Sequence, residues 1–460
     1  MNTLKIALRN ILRNIRRSSM TIMAIAVGAM SMLIFGEFIS QIFAAMETQN
    51  VCRSGHITVF RSGYFKYGSG NPSAYGIHNY QAVYKLIAED NVLKPLINVI
   101  TPTINLFGIA GNFDADSSKT FFGLGVVPED YNQMHLWNEH QIYLSHSFQP
   151  INETDDTHGF IGVGLGRILG LCESLKILDC TKHQGAVVTQ SQQSKRDFSS
   201  LEEKTDQPLQ NITAPRLDLL AATAASAPNV VSFYVDKAVS QGIKELDDAL
   251  IIMNFNLAQR LLYGRGEKQA VGIVLQLHKT EDIPIAKSRL DQLIKDKRLD
   301  LETRELTELQ PFYTQAMKMF TTIFSFISAV IAVIVIFTIV NTMSMSVMER
   351  THEIGTLRAM GVKKRGITIQ FVIEGALLGF IGATLGIIIG SMLAVIINHS
   401  GMTWLPPGQA DPIPLSVLTT GVAKLMFGIW FGIGAMATIA AWLPARRAAK
   451  MKIVDALGHV

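Results

Sequence analysis

The stretch Met348-Glu349-Arg350-Thr351-His352-Glu353-Ile354-Gly355-Thr356-Leu357-Arg358-Ala359-Met360-Gly361 is a dense charged patch between two long apolar runs, residues 316–346 and 367–397. Each run exceeds the ~20 residues that a helix needs to cross a bilayer. A short polar connection between two spanning helices lies at the membrane surface. Arg350, Arg358, Lys363, Lys364 and Arg365 put this one, residues 347–366, on the cytoplasmic side by the positive-inside rule. Ile354, Leu357 and Met360 recur at helical spacing, with Glu349, His352, Glu353 and Arg358 around the rest of the turn. The pattern predicts a short amphipathic helix against the membrane face, open to a cytoplasmic partner. The plainer reading of the same residues is a solvated loop whose charges only fix topology.

Outward from this patch the chain divides by composition. At 460 residues and 48% apolar content it is too long for one compact domain and rich in apolar residues for a soluble one. Residues 1–19 set Leu4, Leu8, Ile11 and Leu12 against Lys5, Arg9, Arg13, Arg16 and Arg17, a basic amphipathic helix suited to the inner membrane face. Residues 20–45 are the first apolar span. A signal peptide is the rival reading, but the run is long for one and no A-x-A-like site follows cleanly. Residues 46–315 turn polar and alternate between strand and helix patterns. His56–Phe60, Val99–Ile104 (followed by a break), Phe121–Val127, Val230–Val235 and Ala270–Leu277 read as strands. Asn79–Ala88 and Ile283–Lys295 read as helices, and Phe160–Leu171 as a helix leading into a strand near Leu175–Leu178. Residues 181–227 have few large apolar side chains and read as loop or disordered insertion.

Pro311 suits a helix start ahead of the second span. Residues 398–414, with four prolines and no Lys or Arg, form an outside loop. Residues 415–444 are the fourth span, and 445–460 are basic again, hence inside. Both termini are therefore expected in the cytoplasm. The net charge of +4 gathers at the membrane flanks, so nucleic acid is a poor partner.

Chemistry-bearing motifs are sparse. No G-x-x-x-x-G-K-[ST] occurs, Gly162–Gly166 has the spacing G-x-G-x-G rather than that of a dinucleotide loop, and His352-Glu353 does not extend to H-E-x-x-H. No catalytic, cofactor or metal residue is assigned. Cys52, Cys172 and Cys180 are read as free buried thiols; a Cys172–Cys180 disulfide is the alternative, if the chain folds back to bring the Cα atoms within ~7 Å. Glu37 and Glu374 fall inside apolar spans, where carboxylates are costly and often functional. The plainer expectation is that Glu37 snorkels outward and Glu374 pairs with a neighbouring helix or the charged segment. Gly375, Gly379, Gly382, Gly386 and Gly390 permit close helix approach, within one bundle or between copies.

The segment E-R-T-H-E-I-G-T-L-R-A-M-G resembles the coupling segment of MacB/FtsX-type ABC-transporter permeases, E-R-x-x-E-I-G-x-L-R-A-x-G. The tail P-A-R-R-A-A-K-M-K-I-V-D-A-L is similar to that family's ending, with Ile453 where proline is usual. Ser54–Val59, Gly242–Asp248 and Leu257–Leu262 are similar to the extracytoplasmic domain of the lipoprotein-releasing branch. The resemblance implies four transmembrane helices with a large mixed α/β extracytoplasmic domain inserted between helices 1 and 2, in a bacterial inner membrane. It implies that Glu349, Arg350, Glu353, Ile354, Gly355, Leu357, Arg358 and Gly361 couple to a separate cytoplasmic ABC ATPase dimer, which carries the ATP and Mg. Ile354 and Leu357 would seat the segment in a groove of that ATPase. Further implied partners are a second permease copy or related permease, a lipid or lipidated substrate, and a periplasmic adaptor or chaperone. The mechanism implied is mechanotransmission to a lipoprotein or other hydrophobic substrate. Alternatives are tripartite drug, toxin or peptide efflux, and a non-transporting module that controls a cell-wall hydrolase.

Overall fold

The computed structural model describes residues 2–68, 72–142, 150–151, 155–177, 180, 214–224, 226–264, 266, 268–405, 412–419 and 421–451. The chain runs α1 (Asn2–Arg13) and α2 (Ile15–Ser54) into β1 (Ile57–Arg61), α3 (Tyr80–Ala88), β2 (Ile97–Asn112), β3 (Ser117–Val126) and α4 (Pro128–Met134). β4 (His158–Gly162), α5 (Val163–Ile168), β5 (Arg216–Ala222), β6 (Pro228–Val239), α6 (Lys244–Asp247) and β7 (Leu250–Asn254) follow. Next come α7 (Phe255–Tyr263), β8 (Gly272–Leu277), α8 (Ile283–Asp296), β9 (Leu301–Glu305) and α9 (Leu306–Leu309). The last elements are α10 (Pro311–Glu349), α11 (Thr351–Ala359), α12 (Lys364–His399), β10 (Thr403–Trp404), β11 (Ile413–Pro414) and α13 (Ala423–Lys450). They fall into two compact units: one of residues up to Ala44, Phe312–Trp404 and from Pro414, the other of Ala45–Pro311 with Leu405–Ile413.

In the helical unit, α2, α10, α12 and α13 are each long and apolar enough to cross a membrane. The 40 residues of α2 and 39 of α10 extend over roughly 60 Å, about twice a hydrocarbon core. α12 meets its neighbours through its glycine rows. A Cβ on Gly375 or Gly379 would strike Ala441 or Ala437 of α13, and one on Gly382, Gly386 or Gly390 would strike Ile25, Ala26 or Leu33 of α2. Both rows are thus used inside the bundle, and Ile25, Ala29, Leu33, Ile433 and Ala437 form its buried centre.

The fourth apolar helix begins at Ala423 rather than at the expected residue 415. Residues before it are held extended: β10 pairs with β11, Leu415 N–H donates to Met402 O at 2.7 Å, and the Asn398 side chain bonds both Val417 N–H (2.8 Å) and O (3.0 Å).

The second unit is a nine-stranded sheet with order β3-β7-β4-β6-β5-β2-β8-β1-β9. An additional pairing of β3 with β2 closes the first six strands into a barrel-like ring. β2, 16 residues long, makes this possible. Its first half pairs with β8, and its second half with β3 and β5. Ile104, Leu106, Leu217, Leu219, Phe233 and Ile251 fill the ring, closed by Leu257, Ala258 and Leu261 of α7. On the β1–β8 side, Ile57, Val59, Ile273 and Leu275 pack under α8 and α3.

Several expectations change here. No break follows Ile104, since β2 runs on to Asn112; Pro102 fits within it because among the described residues β2 has only β8 beside it there, so its missing N–H leaves no partner unpaired. Where a strand was expected at Leu175–Leu178, residues 172–176 form a turn, with Leu175 N–H bonding Leu171 O (3.0 Å) and Ile177 N–H bonding Cys172 O (3.0 Å); Leu178 lies outside the described residues. That turn folds the chain back so that Cys172 and Cys180, Cα atoms 6.1 Å apart, form a disulfide, not the free thiols expected; Cys52 is free and buried. Of the insertion 181–227, residues 181–213 and 225 lie outside the described residues, as do Lys452–Leu457 of the family-like tail, while β5 occupies the end that was read as loop.

Gly379→Leu and Gly386→Leu are expected to destabilise the helical unit by about 1–3 kcal/mol each through overpacking. Gly428→Leu, where a Cβ meets nothing, serves as the control. Thermal unfolding in detergent reads the difference; three equal melting temperatures would refute this packing.

Candidate functional site

The end of α10 and the start of α12 are joined by α11, which holds the charged segment. α10 stops at Glu349, Arg350 leaves helical geometry (φ −107°, ψ 15°), and α11 restarts as Ile354 N–H bonds Arg350 O at 2.9 Å. At its far end Gly361 takes φ +92°, Gly361 N–H bonds Arg358 O (3.1 Å) and Val362 N–H bonds Leu357 O (3.1 Å). This pair of bonds is a Schellman motif, which needs a residue without a Cβ penalty at Gly361.

Arg350 does not face solvent. Its side chain is 8% exposed, and its Nη1 donates to both oxygens of Glu374, at 3.0 and 3.1 Å. Its Nε donates to Glu353 at 3.2 Å, and the guanidinium lies 5.5 Å from the centre of the Phe371 ring. Glu374, on α12 and 5% exposed, also accepts from the Asn10 side chain of α1. Two further ion pairs tie the segment to the N-terminal helices: Arg13 to Glu353 at 2.8 Å, and Arg17 to both oxygens of Glu349. The Arg17 hydrogen bonds hold the Glu349 carboxyl below the usual carboxylate range. On the other side Arg358 Nη1 donates to Ala449 O (2.7 Å) and Met451 O (3.3 Å), the last carbonyls of α13. A cation there also complements the negative end of the helix dipole.

The stretch from Glu349 to Arg358, which ends α10 and makes up most of α11, is therefore fastened to α1, α2, α12 and α13 by side chains. Of the residues singled out by sequence, Glu349, Arg350, Glu353, Arg358 and Glu374 come together in this network, and Gly361 ends the helix. Ile354 and Gly355 are buried against the bundle, and Leu357 is half-buried. The expectation that Ile354 forms an outward apolar surface fails, because its side chain fills the core beside Ile367, Phe371 and Ala445. The outward face instead carries His352, Thr356, Ala359 and Met360, the last 70% exposed. Sequence reasoning missed Asn10, Arg13 and Arg17 as members of the site. Their i, i+3 and i+4 spacing puts them along one side of a helix, but nothing local announces partners more than 300 residues away.

Glu37 stands apart. It does not turn outward: the residue is 0% exposed within the helical unit, and neither carboxylate oxygen has a hydrogen-bond partner among the described residues.

A second charged cluster holds the C-terminal end of α2 in the sheet-bearing unit. Glu47 accepts from His140 Nε2 (3.2 Å) and from the Thr280 hydroxyl, while Thr280 N–H donates to Glu139 (2.9 Å). His56 Nε2 lies 3.2 Å from the Thr280 hydroxyl, and its Nδ1 accepts from Leu277 N–H at 3.0 Å. The Glu47 hydrogen bond raises the His140 pKa; burial alone would raise Glu47, but its bonds to His140 and Thr280 outweigh that and lower it.

With these geometries in place, comparison with known proteins is informative. Residues 325–453 match the FtsX-like permease C-terminal family. The match covers α11, α12, α13 and most of α10, the elements that build the ion-pair network. The macrolide export ATP-binding/permease protein MacB of Escherichia coli (strain K12) is 34% identical over 146 residues, 32% of this chain and 20% of the relative. Its counterpart in Shigella boydii serotype 4 (strain Sb227) is 35% identical over 144 residues, 31% of this chain and 20% of the relative. The chain thus spans about a fifth of the length of these relatives. Four apolar helices with a fastened, charged connection fit a membrane domain. Over residues 325–453 the chain is similar to permeases of the MacB/FtsX type.

Two measurements test the network. Arg350→Met or Glu374→Leu alone strands a buried charge and is expected to cost about 3–5 kcal/mol, whereas the double variant recovers most of the loss. Additive losses in a thermal-unfolding cycle would show that the two side chains do not act as a pair. For the α2 end, His140 has its pKa raised above the ordinary 6.5, so its contribution is full below 6.5 and is lost as pH rises through the raised value. Glu47 is lowered, so its contribution is full above 4.5 and is lost on acidification. Stability of the sheet-bearing unit should therefore be greatest between those values, and His140→Gln should flatten the alkaline limb of a melting-temperature profile. An unchanged profile counts against the pair.

Proposed function

We propose that this chain is the permease subunit of an ABC transporter that works by mechanotransmission on a lipoprotein or other hydrophobic substrate at the outer face of a bacterial inner membrane. The observation that carries the reading is the fastening of α11. A push on its exposed face reaches α1 through Glu353, α12 through the adjoining Arg350–Glu374 pair and α13 through Arg358, while Glu349 at the end of α10 ties the same corner to α2. A separate ABC ATPase dimer, supplying ATP and Mg, would deliver that push against His352, Thr356, Ala359 and Met360. The length of α2 and α10 supports transmission beyond the bilayer, with α2 anchored by Glu47 at one end and Arg17 at the other. The Cys172–Cys180 disulfide supports an oxidising, extracytoplasmic setting for the α/β unit. The basic segments at 1–19, 347–366 and 445–460 support cytoplasmic termini. A second permease copy or related permease would complete the transporter, and a periplasmic adaptor or chaperone would receive the substrate. Efflux of a drug is a second reading, favoured by the macrolide export named for the relatives.

Met360→Asp and Glu353→Lys are expected to uncouple ATP hydrolysis from transport while both proteins insert normally. The complex with its ATPase, reconstituted in vesicles, is assayed for hydrolysis, for release of a lipidated reporter protein and for macrolide efflux. A fall on the order of tenfold or more in reporter release, with hydrolysis retained, fits loss of a central contact. A fall confined to macrolide efflux would favour the second reading. Unaltered transport in both variants would reduce α11 to a topological anchor.

A further inference from the structure

The first helix carries three parallel rows of side chains at i, i+4 spacing, about 100° apart around the axis. Ala7 and Ile11 form the buried row, against the rest of the helical unit. Next to it, Leu4, Leu8 and Leu12 are all exposed, and Ile15 continues the row. Beyond that lie Lys5, Arg9 and Arg13, continued by Arg16. Helical hydrogen bonding carries the pattern past the break at Asn14, with Asn14 N–H to Asn10 O at 3.3 Å and Ser18 N–H to Asn14 O at 3.1 Å. Of the four cations, Arg13 is spent on Glu353. Lys5, Arg9 and Arg16 are exposed and enter no ion pair among the described residues.

We propose that this surface is a receptor for the anionic-lipid surface of the bilayer leaflet in which α1 lies. Lys5, Arg9 and Arg16 would contact phosphate headgroups, and Leu4, Leu8, Leu12 and Ile15 would lie among the acyl chains. The inference rests on the membrane reading of the helical unit but not on any transport activity. The side-by-side order argues for lipid over a protein partner. A bilayer presents negative headgroups directly above apolar chains, and the exposed leucine row borders the cationic row along its whole length. The buried row fixes the rotation of α1, so the helix cannot turn its cations away. The location gives the contact a consequence. Asn10 and Arg13 of the same helix hold Glu374 and Glu353, so lipid charge would help keep α1 seated against the segment that joins α10 and α12.

The full chain is placed in nanodiscs of phosphatidylcholine containing a minority of phosphatidylglycerol, then released and examined by native mass spectrometry for retained lipid. The wild type is expected to keep phosphatidylglycerol well in excess of its share. The exposed variant Lys5→Gln/Arg9→Gln/Arg16→Gln should lose that excess by on the order of tenfold or more, since each surface cation near anionic lipid contributes substantially. Lys85→Gln/Lys295→Gln/Lys297→Gln removes the same charge from exposed positions of the sheet-bearing unit and should keep the excess. Added salt should weaken retention in the wild type, because the contacts are solvent-exposed. No preference in the wild type, or equal loss in both triple variants, would overturn the proposal. So would undiminished retention by the α1 variant, the result expected if the stripe served a protein partner. Neither measurement involves the ATPase, so failure here leaves the transport reading to its own test.

Discussion

A guanidinium and a carboxylate removed from water govern the helical unit. Desolvating both charges costs several kcal/mol per ion, which their attraction offsets only when the geometry is good and the remaining donors and lone pairs are satisfied. Here both conditions are met: Arg350 meets both oxygens of Glu374 and uses its Nε on Glu353, while Asn10 serves the carboxylate from another helix. Such a pair adds little net stability over a well-packed apolar substitute. Its effect is to make one arrangement of α1, α11 and α12 far better than its neighbours. Every nearby charge follows from that choice, since Glu353 is placed by Arg350 and then receives Arg13.

The same economy runs along α2. It is bound by Arg17 near its start and by Glu47 near its end, while the turns between are apolar and pack against the glycine rows of α12. The one charge between those ends, Glu37, is buried without a hydrogen-bond partner. Within the helical unit, close contact with Gly382, Gly386 and Gly390 of α12 holds the apolar turns of α2.

Much of this was legible in the sequence because its signals are local. Apolar run length announced the four helices, and the period of Ile354, Leu357 and Met360 announced α11. The glycine spacing announced close packing. What the sequence did not reveal depends on pairing between distant residues. Period alone cannot tell which side of α11 faces the bundle; the fold turns Arg350 inward to Glu374 and Ile354 into the core. Nothing local distinguishes Arg13 and Arg17 from surface charge, and only the folded chain brings Glu353 and Glu349 opposite them. In the α/β unit, single strands could be read, but the closure of β3 onto β2 joins segments whose pairing no composition encodes. The length of β2 past Ile104 was hidden for a related reason: how far a strand runs depends on which neighbours it has, and a proline such as Pro102 interrupts it only where its N–H is needed.

The terminal strand of that sheet has a consequence for solubility. Among the described residues β9 ends the strand order, with β1 on one side only, and so leaves backbone donors and acceptors on its other side. Yet its side chains are already committed: Glu302 to Arg304, Arg304 also to Glu308, and Glu305 to Lys287 of α8. A foreign strand docking along β9 would have to break or desolvate these pairs, and five residues offer few bonds in return. Charge placed on a short exposed edge in this way guards against edge-to-edge aggregation. The ion pairs of β9 thus disfavour addition of a further strand at this edge of the sheet.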